Sequence, residues 1–398
     1  MISPAEAEAR IRASAPLLPA TSLRLTELVG ATLRERIVAA FDQPPFDRVT
    51  MDGVAFAFAA YERGRREFRI GGTQAAGAPP LSLQDDEHCI EVMTGAMLPA
   101  GCDCVVPVEK ISVADAIVQL APDAAPQPRA NIHARGTDSR RGDELLQPGI
   151  RLGPAEVAVL AANGHTHASV SRAPRIVLVS TGDELVEPGE PLAEWQIHRS
   201  NAYAVMAALQ RRGFAQPTLD HLPDDPEVLR ARLGAHLQTH DVLILSGGVS
   251  MGRFDYIPQV LTELGVRVVF HQVSQRPGKP LWFGVGNGGQ TVYALPGNPV
   301  STLVCFARYV FAGLETSLGV AARAAEPIAL AERFEVKPAL SLFVPVQLAF
   351  QQGQRLAVPK PTRGSGDFTS LIGTDGFVEL PPGPAPLAAG TPVALYSW

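Results

Sequence analysis

The sequence has little lysine and no excess of basic charge. Only four of its 34 basic residues are lysine, so each lysine stands out against an arginine background. The 40 acidic residues outnumber the basic ones, and the formal net charge is −6. A protein that binds nucleic acid needs a basic surface to neutralise phosphates. The composition therefore argues against a nucleic-acid partner.

Long apolar runs and cysteine frameworks are also missing. No apolar run approaches the ~20 residues that a membrane-spanning helix needs, and the N-terminal MISPAEAEARIRASA is polar and acidic, unlike a signal peptide. We therefore expect a cytoplasmic protein without a membrane partner. The four cysteines are too few and too scattered for a disulfide framework, which indicates structural roles for Cys89, Cys102, Cys104 and Cys305.

The 398 residues are too many for one ordinary core, and their patterns change along the chain. Residues 1–42 have apolar positions near helical spacing, which predicts a helical segment. Residues 46–138 contain short strand candidates and many turns, typical of a β-rich domain. Strands and helices alternate over 174–320, which predicts a doubly wound, mostly parallel α/β domain. Strand signals return over 321–398, indicating a small C-terminal β domain.

The stretch DVLILSGGVSMGRFDY at 241–256 joins a buried-looking strand to polar residues. Val242 to Leu245 run into Ser246, Gly247, Gly248 and Ser250, and Asp255 follows. Doubly wound sheets bind ligands at the carboxyl ends of their strands, where glycine lets the backbone approach a phosphate. Asp255 at this place suits a divalent cation that bridges phosphate oxygens. The alternative is a tight turn, with Asp255 only starting the next helix.

Other loops of the predicted sheet reach the same edge. Glu184 follows the strand at 175–180, and Asp224 follows another strand candidate. Three carboxylates in one crevice repel each other unless a cation joins them, which favours Mg²⁺ with phosphate. The loop after TVYAL supplies the further candidate residues Pro296, Gly297, Asn298, Pro299 and Ser301.

Cationic candidates come from the turn QRPGKP at 275–280. Arg276 offers a planar fork to an oxyanion, and Lys279 offers a point charge. Carboxylates for a metal together with cations for an oxyanion predict transfer chemistry at a phosphate. Each of these features alone is weak evidence for such a site, because an acidic residue after a strand can simply cap the next helix.

Several motifs in fixed order resemble the molybdopterin molybdenumtransferase (MoeA) family, which includes the C-terminal part of gephyrin. They span nearly the whole chain, and the set is far more specific than SGGVS alone. The matching stretches are FDRVTMDGVA (46–55), EVMTGAMLPAGCDCVVPVE (91–109), STGDELVEPG (180–189), QIHRSNAY (196–203), SGGVSMGRFDY (246–256), RPGKP (276–280), LPGNPVS (295–301) and, more weakly, TRGSGDFTSL (362–371).

The resemblance implies an enzyme of molybdenum cofactor biosynthesis. Such enzymes take adenylylated molybdopterin and molybdate as substrates, use Mg²⁺, insert molybdenum and release AMP. It also implies a homodimer whose discontinuous linking domain comprises residues 1–45 and 139–173. Asp52 and Thr94 of one subunit would then reach the α/β domain of the other. A molybdopterin adenylyltransferase and molybdoenzyme-maturation proteins are the partners that this family suggests.

The same resemblance suggests a role for each candidate residue. The SGGVS backbone and Ser250 would hold the pterin phosphate or AMP, and Glu184 and Asp255 would bind Mg²⁺ beside Asp224. The molybdate pocket would comprise Arg276, Lys279, Ser301 and Ser365.

The sequence departs from the family at the oxyanion pocket. Gln272 stands where many members have lysine, Arg276 replaces a frequent lysine, and a family arginine falls near Pro345. Arg276 keeps the charge and changes only the geometry, but loss of the charges at Gln272 and Pro345 would suit a non-catalytic molybdopterin-binding or scaffold homologue, the main alternative. An unrelated Mg²⁺-dependent nucleotide transferase on a similar sheet is a further reading.

Overall fold

The structure is a computed structural model that describes residues 1–249, 255–336, 339–383 and 385–398. Within this part of the chain, no helix is both long enough and apolar enough to cross a bilayer. A π-helical turn, Phe306–Val310, joins the helices Pro299–Cys305 and Phe311–Ser317 and completes the long helix predicted after residue 299. The helices are α1 (Pro4–Ser14), α2 (Phe58–Glu62), α3 (Pro154–Ala162), α4 (Asn201–Arg211), α5 (Pro226–Thr239), α6 (Ile257–Glu263), α7 (Pro299–Cys305) and α8 (Phe311–Ser317).

Short 3₁₀ turns lie at Leu25–Glu27, Val108–Lys110 and Phe368–Leu371. The strands are β1 (Ala20–Arg24), β2 (Ile37–Val38), β3 (Arg48–Val49), β4 (Gly53–Phe56), β5 (Glu67–Gln74), β6 (His88–Val92), β7 (Cys104–Pro107), β8 (Ile111–Ala114), β9 (Ile117–Leu120), β10 (Ile132–His133), β11 (Glu144–Leu146), β12 (His167–Ser171), β13 (Ile176–Thr181), β14 (Leu185–Val186), β15 (Ile197–His198), β16 (Thr218–Leu222), β17 (Val242–Ser246), β18 (Arg267–His271), β19 (Gln275–Arg276), β20 (Trp282–Val285), β21 (Thr291–Leu295), β22 (Glu326–Leu330), β23 (Ser341–Gln351), β24 (Gln354–Pro359), β25 (Gly376–Leu380) and β26 (Pro392–Ser397).

The chain forms two compact units. The larger unit contains residues 1–34, 148–153 and 167–398, and the smaller contains 35–147 and 154–166. The smaller unit is built on a six-stranded sheet in the order β7-β4-β6-β5-β9-β8. This agrees with the β-rich character predicted from its many short strand candidates. The finer domain boundaries at 45/46, 138/139, 173/174 and 320/321 stay predictions.

A mostly parallel sheet forms the centre of the larger unit. Its order is β16-β13-β17-β21-β20-β18, with parallel pairing from β16 to β21 and antiparallel pairing at the β20–β18 edge. Helices cover both faces: α4 and α7 pack on one, α5 and α6 on the other. Strands covered on both faces need apolar residues at every position, which explains continuous runs such as VLIL. The predicted doubly wound fold class is confirmed.

The helix predicted over residues 1–42 is wrong beyond its first part. Helix α1 ends at Ser14, and Ala15 is already extended, with φ −71° and ψ 119°. Pro16 follows, and a residue before proline is driven out of the α region by the proline ring. The apolar residues after Pro19 then form β1, which pairs antiparallel with β12.

The C-terminal residues form a second six-stranded sheet, in the order β19-β23-β24-β22-β26-β25. Its first strand, β19, comes from within the α/β part of the sequence and pairs parallel with β23. The turn RPGKP therefore starts from the edge of the C-terminal sheet. In the cores, all four cysteines are free and buried, as predicted, and burial raises the pKa of Cys89, Cys102 and Cys104 to about 12.

Candidate active site

Three strand ends meet at one edge of the parallel sheet. In the register of the ladders, Ser180 of β13 lies beside Ser246 of β17, and Ser246 lies beside Leu295 of β21. The loops that follow these strands therefore start side by side. This is the crevice at which open α/β sheets bind ligands.

The two glycines after β17 are required by backbone geometry. Gly247 has φ +106° and Gly248 has φ +64°, conformations that side chains disfavour. A Cβ added at Gly247 would lie only 2.6 Å from the carbonyl oxygen of Thr181. The Gly-Gly turn thus packs directly on the end of β13, and its backbone is open to close approach by a ligand.

Asn201, the first residue of α4, ties two of the loops together. Its amide Nδ2 donates to Ser246 Oγ and to the Gly297 carbonyl oxygen, both at 2.8 Å. Its Oδ1 is buried, as are the hydroxyls of Ser180 and Thr181, and these three atoms have no hydrogen-bond partner in the described part of the chain. Unpaired buried polar atoms are rare in folded proteins and mark places where a ligand or water completes the bonding.

The three predicted carboxylates line one cavity at this edge. Glu184, Asp224 and Asp255 surround a space of about 410 Å³ together with the two glycines. Burial raises the pKa of Asp224, and the negative charges of Asp183, Glu184 and Asp255 raise it further. The repulsion expected from the sequence is therefore present in the structure.

These carboxylates fit Mg²⁺ in a site that the substrate would complete. Among the described residues, no three acidic, histidine or cysteine side chains form a ready-made metal cluster. Mg²⁺ is usually held by one or two carboxylates together with phosphate oxygens and water, rather than by an all-protein cage. The donor set along this cavity matches that preference.

The turn RPGKP is fixed by the buried side chain of Gln275. Its Nε2 donates to the carbonyl oxygens of Pro277 at 3.0 Å and Gly278 at 3.3 Å, and its Oε1 accepts from the hydroxyl of Tyr309. Gly278 has φ +89°, and a Cβ there would lie 2.5 Å from Cys305 Sγ. The turn is therefore seated tightly on the long helix, with Arg276 and Lys279 exposed.

A larger cavity of about 520 Å³ adjoins the carboxylate cavity. Its walls include Arg276, Lys279 and Ser301, all predicted for an oxyanion pocket, and also Pro345. Pro280, Pro296 and Asn298 line both cavities. The predicted acids and cations thus lie in neighbouring cavities.

The loop that carries Ser365 joins the LPGNPVS loop at this cavity. Asn298 Nδ2 donates to Ser365 Oγ at 2.8 Å, and the Val300 amide donates to the Ser365 carbonyl oxygen at 3.0 Å. Gly297 and Pro299 line a third space of about 420 Å³, together with Ser246 and Glu184. Ser250 lies outside the described residues, and Gln272 is not among the described residues that line these cavities.

Sequence reasoning missed Arg363 and Asn201. Arg363 lines the larger cavity beside Lys279. Both residues lie in stretches that resemble the family, TRGSG and RSNAY. The residue type alone does not show which neighbours either side chain contacts in the fold. The nearness of Arg363 to a turn more than eighty residues earlier is set by packing of the C-terminal sheet.

Asp52 and Thr94 meet in the smaller unit. One Asp52 oxygen, Oδ1, accepts from the Thr94 hydroxyl at 2.7 Å and from the Thr94 amide at 2.6 Å. These bonds, the hydroxyl first, hold the pKa of Asp52 below its usual value. The MDG and MTGA motifs therefore present one fixed, ionised carboxylate.

Comparison with known proteins decides the family. Successive parts of the chain match the MoeA N-terminal region (domain I and II) over residues 2–164, a probable molybdopterin binding domain over 177–316 and the MoeA C-terminal region (domain IV) over 327–398. A Synechocystis protein named molybdopterin molybdenumtransferase is 41% identical, with both chains covered completely. The chain belongs to the MoeA family.

Other MoeA relatives agree along the whole length. A Synechococcus elongatus protein of the same name is 34% identical over 94% of this chain and 93% of its own. Two crystal structures of the molybdopterin biosynthesis MoeA protein from Pyrococcus horikoshii match with TM-scores of 0.83 and 0.81, at 25% and 30% identity. Each covers all of this chain and at least 99% of the other. The predicted family and fold class are confirmed, and the relatives are named as transferases, as predicted.

Proposed function

We propose that this protein inserts molybdenum from molybdate into adenylylated molybdopterin and releases AMP, with Mg²⁺ as cofactor. One observation carries the proposal: in a MoeA-family chain, a cavity lined by three carboxylates and a Gly-Gly turn adjoins a cavity lined by cations. The first suits a phosphate with its metal, and the second suits a tetrahedral oxyanion.

The glycine turn and its neighbours hold the phosphate part of the substrate. The backbone at Gly247 and Gly248 carries no side chain that would keep a phosphate away, and Ser246 and Asn201 supply polar groups beside it. The partnerless hydroxyls of Ser180 and Thr181 give a bound ligand or water further hydrogen bonds. Ser250, which lies outside the described residues, is also assigned to this phosphate in the proposal.

Glu184 and Asp255 hold Mg²⁺ in this proposal, and Asp224 contacts the metal's water or the substrate. When bound, Mg²⁺ neutralises charge on the phosphate oxygens and so favours cleavage of the phosphoanhydride. The chain itself keeps the three acids along one cavity, where burial first, and then the neighbouring negative charges, raise the pKa of Asp224.

Molybdate occupies the larger cavity in this proposal. Arg276 and Lys279 attract its negative charge, and Ser301 and Ser365 line the same space with hydroxyls. Because Asn298 contributes to both cavities, the oxyanion is placed next to the pterin substrate. Holding two reactants in fixed proximity is a large source of rate enhancement.

The working enzyme is a homodimer in this proposal, and Asp52 and Thr94 serve the active site of the partner subunit. Support comes from the fixed Asp52–Thr94 pair, which gives the smaller unit a polar motif at a defined place. A molybdopterin adenylyltransferase would supply the substrate, and maturation proteins of molybdoenzymes would receive the product.

AMP release by the purified protein tests the function. We expect release from adenylylated molybdopterin only when molybdate and Mg²⁺ are both present. Tight substrate binding without AMP release would favour a scaffold protein. AMP formation from ordinary nucleotides, without molybdopterin, would favour an unrelated nucleotide transferase.

A further inference from the structure

The wall of the larger cavity carries more positive charge than was predicted. Of the described residues, Arg276, Lys279 and Arg363 line it, against one acidic residue, Glu335. Glu335 already pairs with Arg333 at 3.1 Å. Among the residues that the structure describes, none of the three cations makes an ion pair, so their charges are available to a ligand in the cavity. Clustered cations of this kind are stabilised by a bound anion.

The backbone that carries Arg363 is fixed on its C-terminal side. Ser365 is bonded to the LPGNPVS loop through both its hydroxyl and its carbonyl oxygen. The amide of Asp367 donates to the Gly364 carbonyl oxygen at 3.2 Å, and the Asp367 carboxylate accepts from the hydroxyl of Thr369 at 2.6 Å. Arg363 therefore starts from an anchored loop beside the cavity rather than from an unrestrained surface segment.

We propose that Arg363 binds the oxyanion directly and forms, with Arg276 and Lys279, a three-cation pocket selective for tetrahedral dianions. This inference rests on the proposed function, in which that dianion is molybdate. The guanidinium has parallel N–H groups that match two oxygens of a tetrahedral anion. Arg363 adds a third positive charge to the wall that Arg276 and Lys279 already line.

Calorimetric titration of the full-length protein with sodium molybdate tests the inference. We expect Arg363→Ala to weaken binding about tenfold or more, because the variant loses charge-assisted hydrogen bonds from the guanidinium to the anion's oxygens. Arg363→Lys keeps the charge but loses the planar pair of N–H groups. Its affinity for molybdate should therefore fall between those of the parent protein and Arg363→Ala. Arg355→Ala is the matched control, since Arg355 is an exposed arginine of the same sheet that pairs with Glu326. It should bind like the parent.

Sodium tungstate, a dianion of the same shape, should show the same order of affinities. In the transfer assay, Arg363→Ala should raise the molybdate concentration for half-maximal AMP release while the rate at saturation changes little. Circular dichroism and thermal unfolding check that each variant is folded.

Different results overturn the two proposals. Unchanged molybdate affinity in folded Arg363→Ala, or a parent protein that binds no tetrahedral dianion, overturns the role of Arg363. A parent protein that binds molybdate through Arg363 yet never releases AMP overturns the proposed function and leaves this inference standing.

Discussion

Asp224 is held in a conflict of charges, because burial and three neighbouring carboxylates raise its pKa. A raised folded-state pKa means that folding is favoured when the carboxyl is protonated and penalised once pH rises through that pKa. We predict that Asp224→Asn raises the thermal unfolding midpoint by a few degrees near pH 7 in EDTA. The gain should disappear at a pH below the ordinary carboxyl pKa. A midpoint that rises equally at both pH values would contradict this electrostatic cause.

Asp255 separates the metal-site interpretation from a purely structural one. We predict that Asp255→Ala abolishes molybdate-dependent AMP release while the unfolding midpoint stays within a few degrees of the parent. Asp255 lines the carboxylate cavity. In the proposed function it is a Mg²⁺ ligand, and its loss would remove charge neutralisation at the phosphate. Asp86→Ala, which removes an exposed ion pair with Arg63, is the control and should keep full activity. Near-normal activity of Asp255→Ala would exclude it from the metal site.

The location of a residue could be predicted from sequence where the residue lies in the loop after a strand of the sheet. Glu184 and Asp255 could be assigned to one crevice because strand order and loop position decide where such residues lie. Asn201 and Arg363 could not, since their neighbours are set by tertiary packing between distant segments. Their sequence context showed a helix start and a glycine-rich loop, which are common in many proteins.

The turn RPGKP depends on a side chain one residue before it. Gln275 satisfies two carbonyl oxygens of the turn and the hydroxyl of Tyr309 in a buried site. We predict that Gln275→Ala lowers stability by about 2–4 kcal/mol, because several buried polar groups lose their partner. It should also raise the molybdate concentration needed for half-maximal AMP release, since Lys279 loses its support.

Chemical denaturation and molybdate titration of the reaction measure the two effects. Tyr309→Phe is the matched control, since it removes only one of these hydrogen bonds and should be milder in both respects. Stability lost without any change in molybdate dependence would mean that the turn keeps its position without Gln275.

At the scale of elements, alternation of apolar strands and amphipathic helices was enough to predict the parallel sheet. The helix predicted over residues 1–42 ends early because Pro16 drives Ala15 out of the α region, so the apolar spacing beyond it belongs to other structure. Strand β19 could not be foreseen, since a two-residue strand has no periodicity and its partner β23 lies more than sixty residues later.

The proposed exchange of residues between subunits gives a prediction for the whole molecule. If Asp52 serves the partner's site, Asp52→Ala and Asp255→Ala homodimers should each be inactive. Mixed dimers of the two variants carry one intact site, and activity should return to about half of the parent's activity per mixed dimer. Differently tagged chains, co-expressed and purified in sequence, allow this measurement. Mixed dimers as inactive as both parents would place Asp52 at the site of its own subunit.

The short pairing of β19 with β23 means that the two six-stranded sheets of the larger unit are not independent modules. A truncated protein ending near residue 320 would keep its acids but lose the strand beside Arg276, and with it Ser365 and Arg363. Exchanging the C-terminal part with that of a relative would likewise separate the turn that carries Arg276 and Lys279 from the residues of the C-terminal part that line the same cavity. Chimeras of this enzyme should therefore transplant residues 272–280 together with everything after 320.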